Sequence, residues 1–327
     1  MKKLLLVGSS LFVENHFNFK INNITDKDEY PISDMCAKLG DFSSTKTVAI
    51  NAAGNQWTAA AVINQLKEID ANTHVIVQWS GIDRWDMFLP SSKNNEDLGF
   101  NDINSLPEHL RNDPVFTNTH DLEGKPTDTG FRVWITGAMY LGKKFYYRKN
   151  YFSWPDAFKS SCESIALVQK LIEETGATQQ HMIPWDYTRI LERDIIKHFA
   201  LNLTDQNNYV PVELPSLEFN VLEAYPILKV WHNMIDWSTV PETHLEFFHR
   251  NKLPSWCGRM DHAHHPLPLI NYFYIKDQYF PNSKVDLLDE VMVATKRHCE
   301  KYNVNLDFNS DSIKFMINRL KGAHNEC

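Results

Sequence analysis

The apolar positions of the first ninety residues fall into short runs separated by small and polar residues. Lys3–Val7 is an apolar run closed by Gly8, the pattern of a buried strand. Thr47–Ile50 is a second run, closed by Asn51-Ala52-Ala53-Gly54. Thr58–Ile69 then carries Ala, Val, Ile and Leu at helical spacing, and His74–Trp79 is a third strand that ends in Ser80-Gly81. Strand and helix in alternation, with turn residues at each strand end, predict a parallel sheet with crossover helices. Ligands of such sheets sit beyond the carboxyl ends of the strands. The turns at Gly8–Ser10, Gly54–Asn55 and Ser80–Asp83 are therefore expected on one edge.

The pattern changes after residue 86. Residues 87–150 are rich in Asn, Asp, Pro and Ser, with Phe100, Phe116, Phe131 and Trp134 among them, and read as an insertion that forms a lid or substrate wall. Pro155 and Asp156 open a helix that runs through Glu174 and stops at Gly176. Gln180–Pro184 suits a fourth strand. Helical patterns follow over Thr188–His198 and Leu217–Trp237, then a loop over Asn251–Pro268, then helices over Val285–Lys301 and Ser312–Lys321. The expectation is one catalytic domain over residues 1–327, with the 87–150 insertion and a helical extension over 276–327.

Composition narrows the class. The 327 residues are 43% hydrophobic and 23% charged, enough for a large core. The formal net charge of −8 speaks against a general nucleic-acid binder. No stretch approaches the ~20 apolar residues of a membrane span, so neither nucleic acid nor membrane is an expected partner. Met1-Lys2-Lys3 before Leu4–Val7 imitates a secretory signal, but Glu14 follows early and no small-x-small cleavage site appears. That reading gives a cytoplasmic protein. The five cysteines, Cys36, Cys162, Cys257, Cys299 and Cys327, form no CxxC pair and read as free thiols in a reducing compartment.

Three separated segments carry chemistry. Ser10 follows the first strand, where a hydroxyl can be presented at the sheet edge; it needs a neighbouring base to become nucleophilic. Asp261-His262-Ala263-His264-His265-Pro266 offers that base. Asp261 stands three residues before His264 and can hold the second ring nitrogen, fixing the tautomer. An oxyanion site needs donors aimed at developing negative charge, and the Ser10 and Gly54 amides are candidates.

These blocks resemble the SGNH, or GDSL-type, hydrolases. Gly8-Ser9-Ser10-Leu11 is similar to the family's Gly-Asp-Ser-Leu, with Ser9 in place of Asp and Ser10 as the implied nucleophile. Asn51-Ala52-Ala53-Gly54-Asn55 matches the second block, with Gly54 as the oxyanion glycine. Gly81-Ile82-Asp83-Arg84 stands where the family has Gly-x-Asn-Asp. Asp261 through Pro266 matches Asp-x-x-His followed by Pro. The resemblance covers about residues 1–86 and 255–275. It implies a three-layer α/β/α fold with a mostly parallel central sheet, a Ser10–His–Asp261 triad, an acyl-enzyme, and no metal or other cofactor.

Two departures leave alternatives open. Asp83 takes the place of the oxyanion asparagine, and an ionised carboxylate only accepts hydrogen bonds. Either burial protonates Asp83, or Arg84, Asn55 or the Ser80 hydroxyl donates instead, or Asp83 partners Arg84 and amides alone form the hole; a replaced donor is favoured. The Asp-x-x-His spacing selects His264 as base, whereas His-Pro selects His265; orientation by Asp261 favours His264. Trp57, Arg84, Trp85 and Trp256, with Asn55, lie near the blocks and are candidate substrate contacts, since aromatic faces stack on sugars or grip acyl groups. Trp79 and His74, on a strand, read as core. The expected function is an ester hydrolase acting on an O-acylated carbohydrate or similar polar ester. The alternatives are an O-acyltransferase on the same fold, a non-catalytic glycan-binding module, and a metal-dependent hydrolase using Asp261–His265.

Overall fold

The computed structural model describes residues 2–9, 12, 30–50, 53–82, 84–89, 119–127, 130–135, 153–183, 187–188, 220–254, 267–302 and 304–322. Four parallel strands form the central sheet: β1 (Lys3–Gly8), β2 (Ser44–Ala49), β3 (Thr73–Gln78) and a fourth, β8 (Thr178–Met182). Their order is β2-β1-β3-β8, so β1 and β3 are central. Each lies within a few residues of the run that predicted it; β2 starts earlier, at Ser44, because the register on β1 extends back to Lys3.

Alternation along β1 sends its side chains to two different cores. Leu4 and Leu6 join Ile76 and Met182 on one face, while Leu5 and Val7 join Val75 and Val77 on the other. That is the signature of a sheet covered on both sides. The first face is covered by α1 (Ile32–Leu39), α6 (His244–Arg250), α7 (Pro268–Gln278), α8 (Leu288–Tyr302) and α9 (Asp311–Gly322). The second is covered by α2 (Asn55–Gln65), α3 (Trp154–Glu174) and two short helices, α4 (Val221–Ala224) and α5 (Pro226–His232).

Several boundaries differ from the sequence reading. The helix expected to start at Thr58 begins at Asn55 and closes in a 3-10 turn over Leu66–Glu68. The single helical pattern expected over Leu217–Trp237 is broken at Tyr225, because Pro226 has no N–H to continue α4 and instead opens α5. A loop was expected up to Pro268, but α7 starts there and carries buried side chains from Pro268 through Lys276. Its boundary also cuts across the expected extension at residue 276. Leu288, Val291, Ile313 and Met316 share one core with Leu4 and Leu6, so α8 and α9 belong to the layer on the sheet.

The described part of the expected lid is a second, antiparallel sheet. β4 (Arg84–Leu89) pairs with β7 (Gly130–Ile135), which continues to β5 (Thr119–His120) and β6 (Pro126–Thr127). Its first strand begins at Arg84, before the expected boundary at 87.

Candidate functional site

The three small-residue turns lie together, because the strands that precede them are parallel and adjacent. β1 is the middle strand of the three. Gly8 ends it against β3: a Cβ there would stand 2.7 Å from both the Gln78 Cβ and the Gln78 carbonyl oxygen. Ser9 is fully buried and donates its amide to Gln78 Oε1 at 3.0 Å. Its carbonyl accepts from the Phe12 amide at 3.0 Å, and Ile50 donates its amide to the Gly8 carbonyl at 3.3 Å. The end of β1 is thereby tied to both neighbours. Gln78 was not anticipated, although a lone amide closing the apolar run His74–Val77 was a visible signal.

The second turn is bound to the third by Asn55. Its Oδ1 accepts the Ser80 amide at 2.7 Å. Its Nδ2 donates to Ser161 Oγ at 2.9 Å, Tyr187 Oη at 3.1 Å and the Ser80 carbonyl at 3.3 Å. Tyr187 Oη donates to that carbonyl too, and Ser80 Oγ donates to the Ala53 carbonyl. Asn55 and Ser80 are both buried. This corrects two expectations. Asn55 is not a substrate contact, and neither Asn55 nor the Ser80 hydroxyl is left to replace an oxyanion asparagine, since their protons already have acceptors.

Gly54 is corrected as well. Its amide donates to Asp86 Oδ1 at 2.8 Å, and the Trp57 amide donates to Asp86 Oδ2 at 2.7 Å. Asp86 is 3% exposed and comes from β4. A buried carboxylate with both oxygens on amides at a helix N-terminus is well satisfied. The Gly54 amide therefore serves Asp86 and not an oxyanion. Trp57 is fully buried, with its indole N–H on the Asp121 carbonyl at 3.0 Å, so it is core and not a substrate platform.

No family model, curated protein or solved structure matches this chain. The site therefore stands on its own geometry.

Ser10, Asp83, Trp256, Asp261, His264 and His265 lie outside the described residues. Arg84 and Trp85 are described as backbone positions on β4, opposite Ile135 and Trp134. The metal alternative at Asp261–His265 lies outside them too; among the described residues no group of three or more His, Cys, Asp or Glu could hold a metal ion. No helix among them is long and apolar enough to cross a membrane. Cys36, Cys162 and Cys299 are buried free thiols, and burial pushes the Cys162 pKa up to about 12.

The two described histidines of the central sheet, His74 and His181, make internal hydrogen bonds. Trp79 is fully buried and donates its indole N–H to His181 Nδ1 at 2.9 Å, with the two rings stacked at 5.9 Å. Nδ1 is thus the acceptor, and Nε2 carries the proton toward Gln179 Oε1 at 2.9 Å. Burial pulls the His181 pKa down to about 3. His74 meets Thr178 Oγ1 at 2.8 Å and Gln180 Oε1 at 3.1 Å and stacks on Phe42, as the core reading expected.

Proposed function

We propose that the chain is an ester hydrolase of the SGNH type that acts through an acyl-enzyme on an O-acylated carbohydrate or a similar polar ester. The observation that carries this reading is the convergence of the three turns at the carboxyl ends of β2, β1 and β3, with Ser9-Ser10 following the middle strand. This is the edge where ligands of parallel sheets bind.

In the reaction, Ser10 Oγ attacks the ester carbonyl carbon while His264 or His265 takes its proton, and Asp261 holds the other ring nitrogen. The negative charge that develops on the carbonyl oxygen needs donors. With Gly54, Asn55 and Ser80 engaged internally, the Ser10 amide, Arg84 and a protonated Asp83 are the remaining candidates. Collapse of the tetrahedral intermediate breaks the ester C–O bond and the imidazolium protonates the departing alcohol. Water, deprotonated by the same histidine, then hydrolyses the acyl-serine.

A fluorophosphonate probe followed by peptide mass spectrometry tests this. Ser10 is expected to be labelled in the wild type, and Ser10→Ala to remove both labelling and ester turnover with the fold retained. His264→Ala and His265→Ala, made separately, identify the base by which one abolishes labelling. A folded wild type that the probe does not modify at Ser10 overturns the reading.

A further inference from the structure

Asp86 is a costly residue in an unexpected place. It supplies the cap of α2 from 32 positions away in the chain. An ordinary helix caps itself with Ser, Thr, Asp or Asn at the N-cap position. Here that position is Gly54, whose side chain can cap nothing. Nor does the backbone demand a glycine, since Gly54 has φ −89 and ψ 178, which any residue adopts. What demands it is space: a Cβ on Gly54 would stand 2.7 Å from Asp86 Oδ2 and 2.9 Å from Oδ1. The glycine is there to admit the distant carboxylate.

The same first turn of α2 is held from its other side. Asn55 binds both the amide and the carbonyl of Ser80, at the end of β3. Because the strand order is β2-β1-β3, this link passes from the turn after β2 to the turn after β3 and so brackets the end of β1. β4 follows the third turn directly, so Asp86 closes a loop of contacts: β3, Ser80, Asn55, the first turn of α2, Asp86 and back through β4.

We propose that Asp86 is the positioning residue of the candidate site, locking the second turn to the strand that follows the third and so fixing the turns on either side of the end of β1. Its bearing on catalysis rests on the ester-hydrolase reading; the lock does not. Asp86 acts through Gly54 and Trp57, whose amides donate to its carboxylate.

The test uses the full chain. Asp86→Asn replaces one acceptor oxygen with an N–H group facing an amide donor. Amide hydrogen exchange over residues 53–58 should accelerate and the effect should spread to 79–82 through Asn55. Labelling of Ser10 by the fluorophosphonate should slow by about tenfold to a hundredfold, the scale expected of a small misplacement beside the reacting group. Gly54→Ala, which leaves the carboxylate but denies it room, should produce the same two effects and serves if Asp86→Asn fails to fold. Added to Asp86→Ala, Gly54→Ala should cost nothing further. Exchange confined to 53–58, or equal and additive costs of Gly54→Ala in both backgrounds, overturns the lock. Normal labelling in Asp86→Asn with altered exchange overturns its role at the site. If the wild type itself is not labelled, the ester-hydrolase reading falls, while exchange and the double variant still decide the lock.

Discussion

The two ends of the central sheet are held by different means. At the amino end the links are exposed ion pairs between side chains. Lys3 pairs with Asp70 at 3.0 Å, with both side chains about half exposed, and Asp70 organises its own turn through Thr73 and the Asn72 amide. Lys46 reaches Glu68 in the same way. At the carboxyl end the links are buried and join side chains to main-chain groups: Gln78 to Ser9, Asn55 to Ser80, Asp86 to Gly54 and Trp57. Exposed ion pairs are screened by water and contribute little. Buried polar groups gain modestly when satisfied and cost heavily when a partner is removed. The buried links fall at the edge where the three turns lie together.

Acid should break the comparison most strongly. His181 stands near the carboxyl end with its pKa depressed to about 3 by burial. The unfolded chain gains a proton near pH 6.5 that the folded chain refuses, so this residue's stability contribution is complete above that pH and falls as pH drops toward 3. Between pH 7 and pH 5 the loss is about 2 kcal/mol. Chemical denaturation at the two pH values measures it, and His181→Gln should remove that share of the pH dependence. His74, toward the amino end, is also shifted down by burial, but it is less enclosed and its hydrogen bond to Gln180 opposes the shift; His74→Gln should remove less.

A smaller effect is expected of Gln78→Met, which keeps the side-chain length but leaves the buried Ser9 amide without its acceptor. A loss of about 1–2 kcal/mol in unfolding free energy follows, with the cost of one stranded donor as its source. Smallest of all is Asp70→Asn, which removes the charge facing Lys3 and keeps the turn-forming oxygen. Its melting temperature should match the wild type within error at moderate salt. A loss as large as that of Gln78→Met would erase the distinction between the two ends.

The parallel sheet was legible because Leu4–Val7, Val48 and Val75–Val77 are compact apolar runs, each followed by small residues. Helix α3 was legible from Pro155 at its start and from Gly176 beyond its end, where φ is +75. Helix α7 was not, because Pro268–Gln278 is buried nearly all round and so lacks the apolar stripe that marks an amphipathic helix. The second sheet was hidden for another reason: β4 and β7 are joined across more than forty residues, and local patterns do not announce distant partners. The strand pattern foretold that the three turns fall on one edge of the sheet, but local sequence did not show which groups their residues bind. Gly54 and Asn55 look like a donor and a substrate contact until Asp86 and Ser80, both distant in sequence, are seen to use them. Trp57 looks like a turn residue until α2 is found to start two positions before it.

The sheet face built by Leu4, Leu6 and Ile76 has a consequence for biosynthesis. Helix α1 gives it early cover through Ile32, Met35 and Leu39, but much of the rest, including Val291, Ile313 and Met316, is made some three hundred residues after β1. While the chain is still emerging from the ribosome, β1 and β3 can pair and the α2–α3 side can close, but the other face has only α1 of its helices until α6 is made. At the usual pace of translation the interval from β1 to α9 is about fifteen to sixty seconds. The nascent protein thus carries one sheet face only partly covered until α7, α8 and α9 arrive.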